Sequence, residues 1–414
     1  MAEKFFTHRF DNGLTLVGQQ MDDVSSAATT LALPAGAAHD PEGGAGMATV
    51  GSAWVIRGAG ARDTRSLNDV LDALGCQHHE DAHSEHLVIG TAQMGMNLPA
   101  VLPILADIIR QPHLSDAAFE PCRDLIAQSL AGLEDEPMRK CNVMIREMFF
   151  PQPLGRNPLG TAESLAAMTP QAARAHLHSR LCPDGTILAV AGRLDWGALV
   201  ALVGQQLGDW IGPALAGPTI TPAKRGVTHV EKPTAQMQIA LAYPAVTMDH
   251  PRYYAARVAE MVLSGGMSAR LFTEVREKRG LVYAVHAGYH CMKGHAGMFV
   301  YAGTMPERAQ ETLTVVVREL RRLKEGVQPD ELDRARTRLR SHLVMQGEAT
   351  SSRADAMAGD WYHLGRLRGL AEISAAVSAI TADDVVEYVR DFPPDDLTVL
   401  TIGPRALDVA AALA

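Results

Sequence analysis

Between residues 306 and 325, Leu313, Val316, Val317, Leu320 and Leu323 recur three or four positions apart. That spacing predicts a helix with one apolar face, closed by Gly326. Residues 97–110 and 115–134 have the same character and read as helices. Elsewhere the apolar period is two. Short alternations flank Asp11-Asn12-Gly13, which suits a hairpin turn. Residues 281–303 read as two strands joined by a Lys-Gly turn. Helices and strands mix without strict strand–helix–strand alternation. The predicted class is α+β, with each domain an antiparallel sheet packed with helices against one face.

The pattern occurs twice. Residues 162–194 and 371–405 each have an Ala/Glu/Ser lead-in, a threonine suited to capping a helix (Thr169, Thr381) and a short helix. A Pro-Asp turn and an apolar strand ending in glycine (Gly192, Gly403) follow. The threonines are 212 apart and the glycines 211 apart, about half of the 414 residues. Solenoid repeats run roughly 20–50 residues, so this period points to two copies of one fold. The segment 212–226 (GPALAGPTITPAKRG) lacks periodicity and reads as the seam. The expected domains are 1–215 and 227–414, joined by a linker at 216–226.

Composition narrows the function classes. With 38 Lys+Arg against 47 Asp+Glu the formal net charge is −9, which gives no footprint for nucleic acid. No apolar run approaches the roughly 18 residues a membrane span needs. The first ten residues, MAEKFFTHRF, have no apolar signal core, so the expected location is cytoplasmic and no membrane partner is expected. The five cysteines (Cys76, Cys122, Cys141, Cys182, Cys291) are odd in number and scattered, as reduced, mostly buried thiols would be.

Several motifs invite chemistry. His79-Glu80-Asp81-Ala82-His83 matches HExxH in form. That motif needs a helix to bring both imidazoles to one metal. Here a Gly-Cys helix stop precedes it and an apolar strand follows, and strand residues four apart lie roughly 13 Å apart. A histidine-rich hairpin is the plainer reading. His286, His290, Cys291 and His295 form a second set of soft ligands, but their spacing fits no closed metal site. The Gly-rich stretches 43–51 and 264–271 lack the ending of a phosphate loop and read as helix ends that pack closely. In SARLFTEVREKRGLVYAVHAGYHCMKGHAGMFVYAGT (268–304), pattern alone makes 274–279 a solvated helix end and Tyr283 a half-buried strand residue.

That last stretch resembles the second-half signature of the pitrilysin/insulinase-type metallopeptidases, the inverted zincins, in the short two-domain branch that includes mitochondrial processing peptidase. DNGLTLV (11–17), AGAAHDPEG (35–43), FEPCRDLIAQSLAGLEDEP (119–137) and PLGRNPLGT (153–161) resemble family landmarks in family order. The resemblance implies two homologous domains forming half of a clam-shell. Active members carry HxxEH just before a Lys/Arg-Gly step, with two zinc-binding histidines and a glutamate base. With Arg57-Gly58 as that step, HxxEH falls on Thr49, Val50, Gly51, Ser52 and Ala53. The two glutamates of the family's later helix fall on Cys122 and Ser129. From Gly43 to Gly60 there is no His, Asp or Glu, so no metal or other cofactor is expected in this chain. The family's Arg and Tyr, seven residues apart, match Arg276 and Tyr283.

What the resemblance implies is a subunit of a heterodimeric zinc metallopeptidase. A homologous partner would carry HxxEH and zinc. This chain would close the chamber and supply Arg276 and Tyr283 in trans to an unfolded or extended peptide, one binding a substrate carbonyl and the other stabilising the oxyanion. The alternatives are a purely structural or binding homologue, like the core subunits of the respiratory bc1 complex, and an independent zincin built on His79–His83.

Overall fold

The strand Ser26–Leu33 (SAATTLAL) is buried along all but its first residue. Both of its faces therefore need cover, and the way they are covered organises the protein. The structure, a computed structural model, describes residues 3–414. These divide into two units. The first takes the chain up to Gly132 with Arg156–Ile220 and Gln346–Arg368; the second takes Leu133–Gly155, Thr221–Met345 and Gly369–Ala414. A linear division at residues 215 and 227 does not describe the two exchanged segments, 133–155 and 346–368.

Eleven strands build the two main sheets. In the first unit they are β1 (Lys4–Arg9), β2 (Thr15–Gln20), β3 (Ser26–Leu33), β4 (Gln77–Ala82), β5 (Leu87–Met94) and β6 (Ile187–Gly192). In the second they are β7 (Val227–Glu231), β8 (Met237–Pro244), β9 (Val282–Met292), β10 (His295–Thr304) and β11 (Thr398–Gly403). Six helices cover these sheets or carry candidate site residues: α1 (Met47–Val55), α2 (Asp116–Gly132), α3 (Pro137–Phe149), α4 (Tyr253–Ser264), α5 (Pro329–Glu348) and α6 (Thr350–Leu364).

The first sheet runs β1-β2-β6-β3-β5-β4 and the second β9-β10-β8-β11-β7. Leaving out β1, both have one plan. In chain order, the five strands lie first–fifth–second–fourth–third. The first and fifth are parallel (β2 with β6, β7 with β11) and the other neighbours antiparallel. The sheets are thus mixed and not purely antiparallel, because each unit's last strand inserts between its first two. The paired landmarks occupy equivalent places. Thr169 and Thr381 each accept a backbone N–H three residues on and cap a helix. Gly192 and Gly403 each end the last strand.

Helices also cover both faces of each sheet, not one. In the first unit, Leu16, Leu31, Leu188 and Val190 pack with Val50 and Trp54 of α1 and Phe119 of α2. The alternate positions Val17, Ala32, Ala189 and Ala191 pack against Ala354, Met357 and Ala358 of α6. The small residues of α6 let it lie close. Polar pins fix it: Thr30 donates to Asp355 at 2.6 Å, Tyr362 to Glu85 at 2.7 Å, and buried Arg353 donates to Gln19 and, at 2.9 Å, to the Arg368 carbonyl. In the second unit α3 lies across β8 and β11. Its Cys141, Ile145 and Phe149 are buried along one stripe. Phe149 meets Phe299 edge-on at 5.2 Å, and the Arg225 guanidinium sits 4.3 Å from the Phe149 ring. Among the described residues no helix is long and apolar enough to cross a membrane.

Truncating each exchanged helix should loosen the sheet it covers. Met357→Ala is expected to cost about 2–5 kcal/mol and to lower amide-exchange protection in β3 and β6, although residue 357 lies in the second half of the sequence. Phe149→Ala is expected to cost about 3–5 kcal/mol and to act on β8 and β11. Unchanged protection in those strands would contradict this division of the core.

Candidate active-site face

Helix α1 holds the positions at which the family resemblance would place a metal site. Asp40 starts the helix: its carboxylate accepts the N–H of Gly46 at 2.8 Å and of Ala48 at 2.9 Å. Gly46 has φ +96°, and a Cβ there would lie 3.0 Å from the Leu159 carbonyl oxygen. Val50 and Trp54 point into the core, and the Trp54 indole N–H donates to the Ser115 carbonyl at 3.1 Å. The remaining polar groups are used locally. Thr49 donates to the Pro158 carbonyl at 2.5 Å and Ser52 to the Thr49 carbonyl at 2.9 Å. Gly51 gives space to Leu177, whose methyl would lie 2.5 Å from a Cβ at that position. On α2, the buried Cys122 thiol faces the Ala53 carbonyl at 3.5 Å, and desolvation pushes its pKa up. Ser129 donates to the Leu125 carbonyl of its own helix at 3.0 Å. Three hydroxyls bound to carbonyls, a protonated thiol and Ala53 do not fit zinc, which takes thiolate, imidazole or carboxylate.

The other two sets of candidate ligands are strand features. His79 lies on β4, with His83 just beyond its end, and the His79 ring crosses the bare Cα of Gly90 on the neighbouring strand. His78 is engaged with Glu80 at 2.8 Å, which raises its pKa. His286 and His290 alternate with Gly288 along β9, and Cys291 turns its thiol to the Met292 carbonyl at 3.4 Å. Among the described residues, no group of three or more His, Cys, Asp and Glu side chains is placed to hold a metal ion.

Arg276 and Tyr283 lie where the second unit passes from a helical turn into β9. Phe272–Glu277 is a π-helical turn, and the Lys278 N–H donates to the Thr273 carbonyl five residues back at 2.9 Å. Such turns are rare and often mark functional positions. Pattern alone does not reveal it. The Arg276 guanidinium lies 5.1 Å from the Phe272 ring centroid. Tyr283 is the extra residue of a β-bulge: Val282 pairs with Thr304 and Ala284 with Gly303. The bulge takes Tyr283 out of the regular ladder and leaves it 53% exposed, close to the half-buried state expected from pattern. Among the described residues neither the Arg276 nor the Tyr283 side chain has a hydrogen-bond or ion-pair partner, although the Arg276 carbonyl accepts the Gly280 N–H at 2.9 Å.

The turn between them is fastened. Lys278 and Arg279 reach the Glu274 carboxylate at 2.7 and 2.8 Å. The Lys278 hydrogen bond, seconded by Arg279, brings its pKa to about 2. Arg308 donates to the carbonyls of Arg279 and Gly280 at 3.1 and 2.7 Å, and Gly280 takes a left-handed φ of +58°. Beneath, buried Arg270 grips Glu331 of α5 in a fork at 2.8 and 2.7 Å. The frame thus presents a guanidinium stacked only on Phe272 and an exposed phenol.

Residues 167–339 match the family described as the peptidase M16 inactive domain. An uncharacterized zinc protease of Rickettsia bellii is 24% identical over 416 residues, covering 98% of this chain and 99% of its own. The uncharacterized zinc protease YmxG of Bacillus subtilis is 24% identical over 401 residues, covering 95% and 97%. Among solved structures, a peptidase M16 inactive domain from Pseudomonas fluorescens superposes with a TM-score of 0.86 at 20% identity, over 98% of both chains. A protease from Helicobacter pylori gives 0.88 at 16% identity, over 97% of this chain and 100% of that one. A chain of complex III2 from Candida albicans gives 0.84 at 17% identity, over 99% and 98%. Residues 167–339 thus resemble an M16 inactive domain, the whole chain shares the fold of the peptidase-named structures, and among the described residues no metal-holding cluster is found.

The isolated chain, after mild chelation and dialysis against zinc, is expected to retain far less than one equivalent and to cleave no peptide. One tightly held zinc per chain by atomic absorption, with chelator-sensitive cleavage, would return attention to His79–His83 or His286–His295.

Proposed function

We propose that this chain is the non-zinc-binding subunit of a heterodimeric M16-type metallopeptidase. It closes a peptide chamber and contributes Arg276 and Tyr283 in trans, in the cytoplasm. The partner is a homologous chain bearing HxxEH and zinc, and it supplies the attacking water. The substrate is an unfolded or extended peptide. The observation that carries this reading is the contrast between the two ends of the chemistry. The donor positions of α1 and α2 are absorbed into local packing, while the Arg276 and Tyr283 side chains stay exposed on a pinned turn without a hydrogen bond or ion pair.

Each residue has a separate task. Attack on the peptide carbonyl places negative charge on its oxygen, and a phenol aimed at that oxygen stabilises the charge as it develops. A guanidinium offers a fork of donors and holds a neighbouring carbonyl, which keeps the peptide extended. The bulge at Tyr283 and the Arg308 contacts to the Arg279 and Gly280 carbonyls hold the backbone that carries the two side chains.

A purely structural or binding role is the second reading. It draws on the fold likeness to a complex III2 chain, whose TM-score of 0.84 differs little from those of the peptidase-named structures. A scaffold, however, has no use for the unengaged pair.

Kinetics of the heterodimer separate the two. Tyr283→Phe removes one donor and little volume, so assembly and peptide binding should persist while kcat falls about 10²–10³-fold. Arg276→Ala should lower kcat/KM through poorer positioning, with the partner's zinc content unchanged. Full activity with both residues replaced would establish the scaffold reading.

A further inference from the structure

We propose that Arg146, His286 and His290 form a subsite for an acidic side chain of an extended peptide. The idea rests on the peptide-handling role proposed above and names the substrate class it favours.

The three residues converge within the second unit. His286 and His290 are four apart on β9 and share one face, opposite Tyr301 and Gly297 in the register with β10. Their rings lie against aromatic neighbours on that face, His286 at 5.3 Å from Tyr301 and His290 at 5.1 Å from Phe299. Gly297 is bare because Phe149 of α3 rests on it; a Cβ there would come within 2.4 Å of the Phe149 ring. Arg146 precedes Phe149 by three residues and so lies on the same side of α3, near enough to His290 for its charge to act there. Among the described residues the Arg146 side chain makes no hydrogen bond or ion pair, and neither imidazole makes a hydrogen bond.

The electrostatics agree with that geometry. Desolvation pushes the Arg146 guanidinium down, yet no carboxylate compensates it. His290 is brought to about 4 by desolvation and by the charges of Arg146 and Arg257. Arg257 itself is paired with Glu260 at 2.9 Å and covers Tyr289, which alternates to the other face of β9. The three residues thus form a set of donors short of an anion. A carboxylate would accept from the guanidinium and raise the imidazole pKa values toward the protonated, donating form.

A second observation fixes how the peptide must lie. The outward N–H groups of β9 are taken by α4: Ala287 donates to Ser264 at 2.9 Å and Tyr289 to Glu260 at 3.1 Å. This stretch of the edge cannot add a strand, which leaves side-chain recognition on the face. At about 3.3 Å per residue, His286 and His290 stand roughly 10 and 23 Å along the strand from Tyr283. The favoured carboxylate therefore falls about three to seven residues from the bond being cut.

The test uses the full-length chain and two fluorescein-labelled extended peptides that differ only in carrying glutamate or glutamine. Anisotropy should show the glutamate peptide binding about ten-fold or more tightly, the effect of one charge-assisted contact. Arg146→Gln should bring the ratio close to one, Arg146→Lys should keep most of it, and His286→Gln with His290→Gln should reduce it. Arg276→Ala should weaken both peptides alike and leave the ratio. If Arg146→Gln fails to fold by circular dichroism, the lysine and double-histidine variants decide. Equal affinities in the wild type, or a ratio indifferent to folded Arg146→Gln, would overturn the subsite. Its failure is distinct from failure of the trans-catalytic reading. The first shows as indistinguishable peptides with a heterodimer still dependent on Tyr283, the second as a clear preference with a heterodimer indifferent to it.

Discussion

Everything in this protein depends on covering strands that are apolar on both faces. β3 and β6 lie near the middle of a sheet and are buried almost throughout. The helices nearest in sequence shield only one side. The other side is closed by a helix from the opposite half of the chain: α6 for the first sheet and α3 for the second. Burying Met357 and Phe149 contributes a few kcal/mol each, a large share of the margin by which a domain is stable. Each sheet is complete only when the whole chain is present, and the frame that holds Arg276 and Tyr283 stands on one of them.

That dependence explains how α1 persists without metal chemistry. The helix is retained for Val50 and Trp54, which fill the core, and for the Asp40 cap that starts it. Thr49, Ser52 and Cys122 satisfy carbonyls that a helix pair in this setting leaves within reach. The opposite economy holds at the π-turn. Its surroundings are crowded with charge-assisted contacts, while Arg276 and Tyr283 take none of them. That contrast is what motivates the role proposed for the two side chains.

Much of this was legible in the residues. The apolar spacing of 306–325 marked a helix, found at Ala309–Arg322, and the Lys293-Gly294 turn joined two strands as expected. The repeat of Thr169/Gly192 in Thr381/Gly403 fell on matching elements because capping and strand termination are local effects. The strand setting of His79 followed from its neighbours. Non-local facts were not legible. The parallel pairing of β2 with β6 is settled across the whole first half. The exchange of α3 and α6 leaves no local trace, since an amphipathic helix does not say which sheet it will cover. The bulge that exposes Tyr283 depends on pairing with β10, and the gathering of Arg146 with His286 and His290 depends on α3 crossing to the second sheet.

The central proposal is that this chain completes a peptidase together with a zinc-bearing partner. The most direct measurement co-expresses it with a homologous HxxEH-containing chain from the same source, titrates it into that chain and follows cleavage of an extended peptide at fixed partner concentration. The expected result is a rise in turnover that saturates at one equivalent, with zinc confined to the partner. Turnover unchanged across the titration, in a complex shown by sedimentation to have formed, would contradict it.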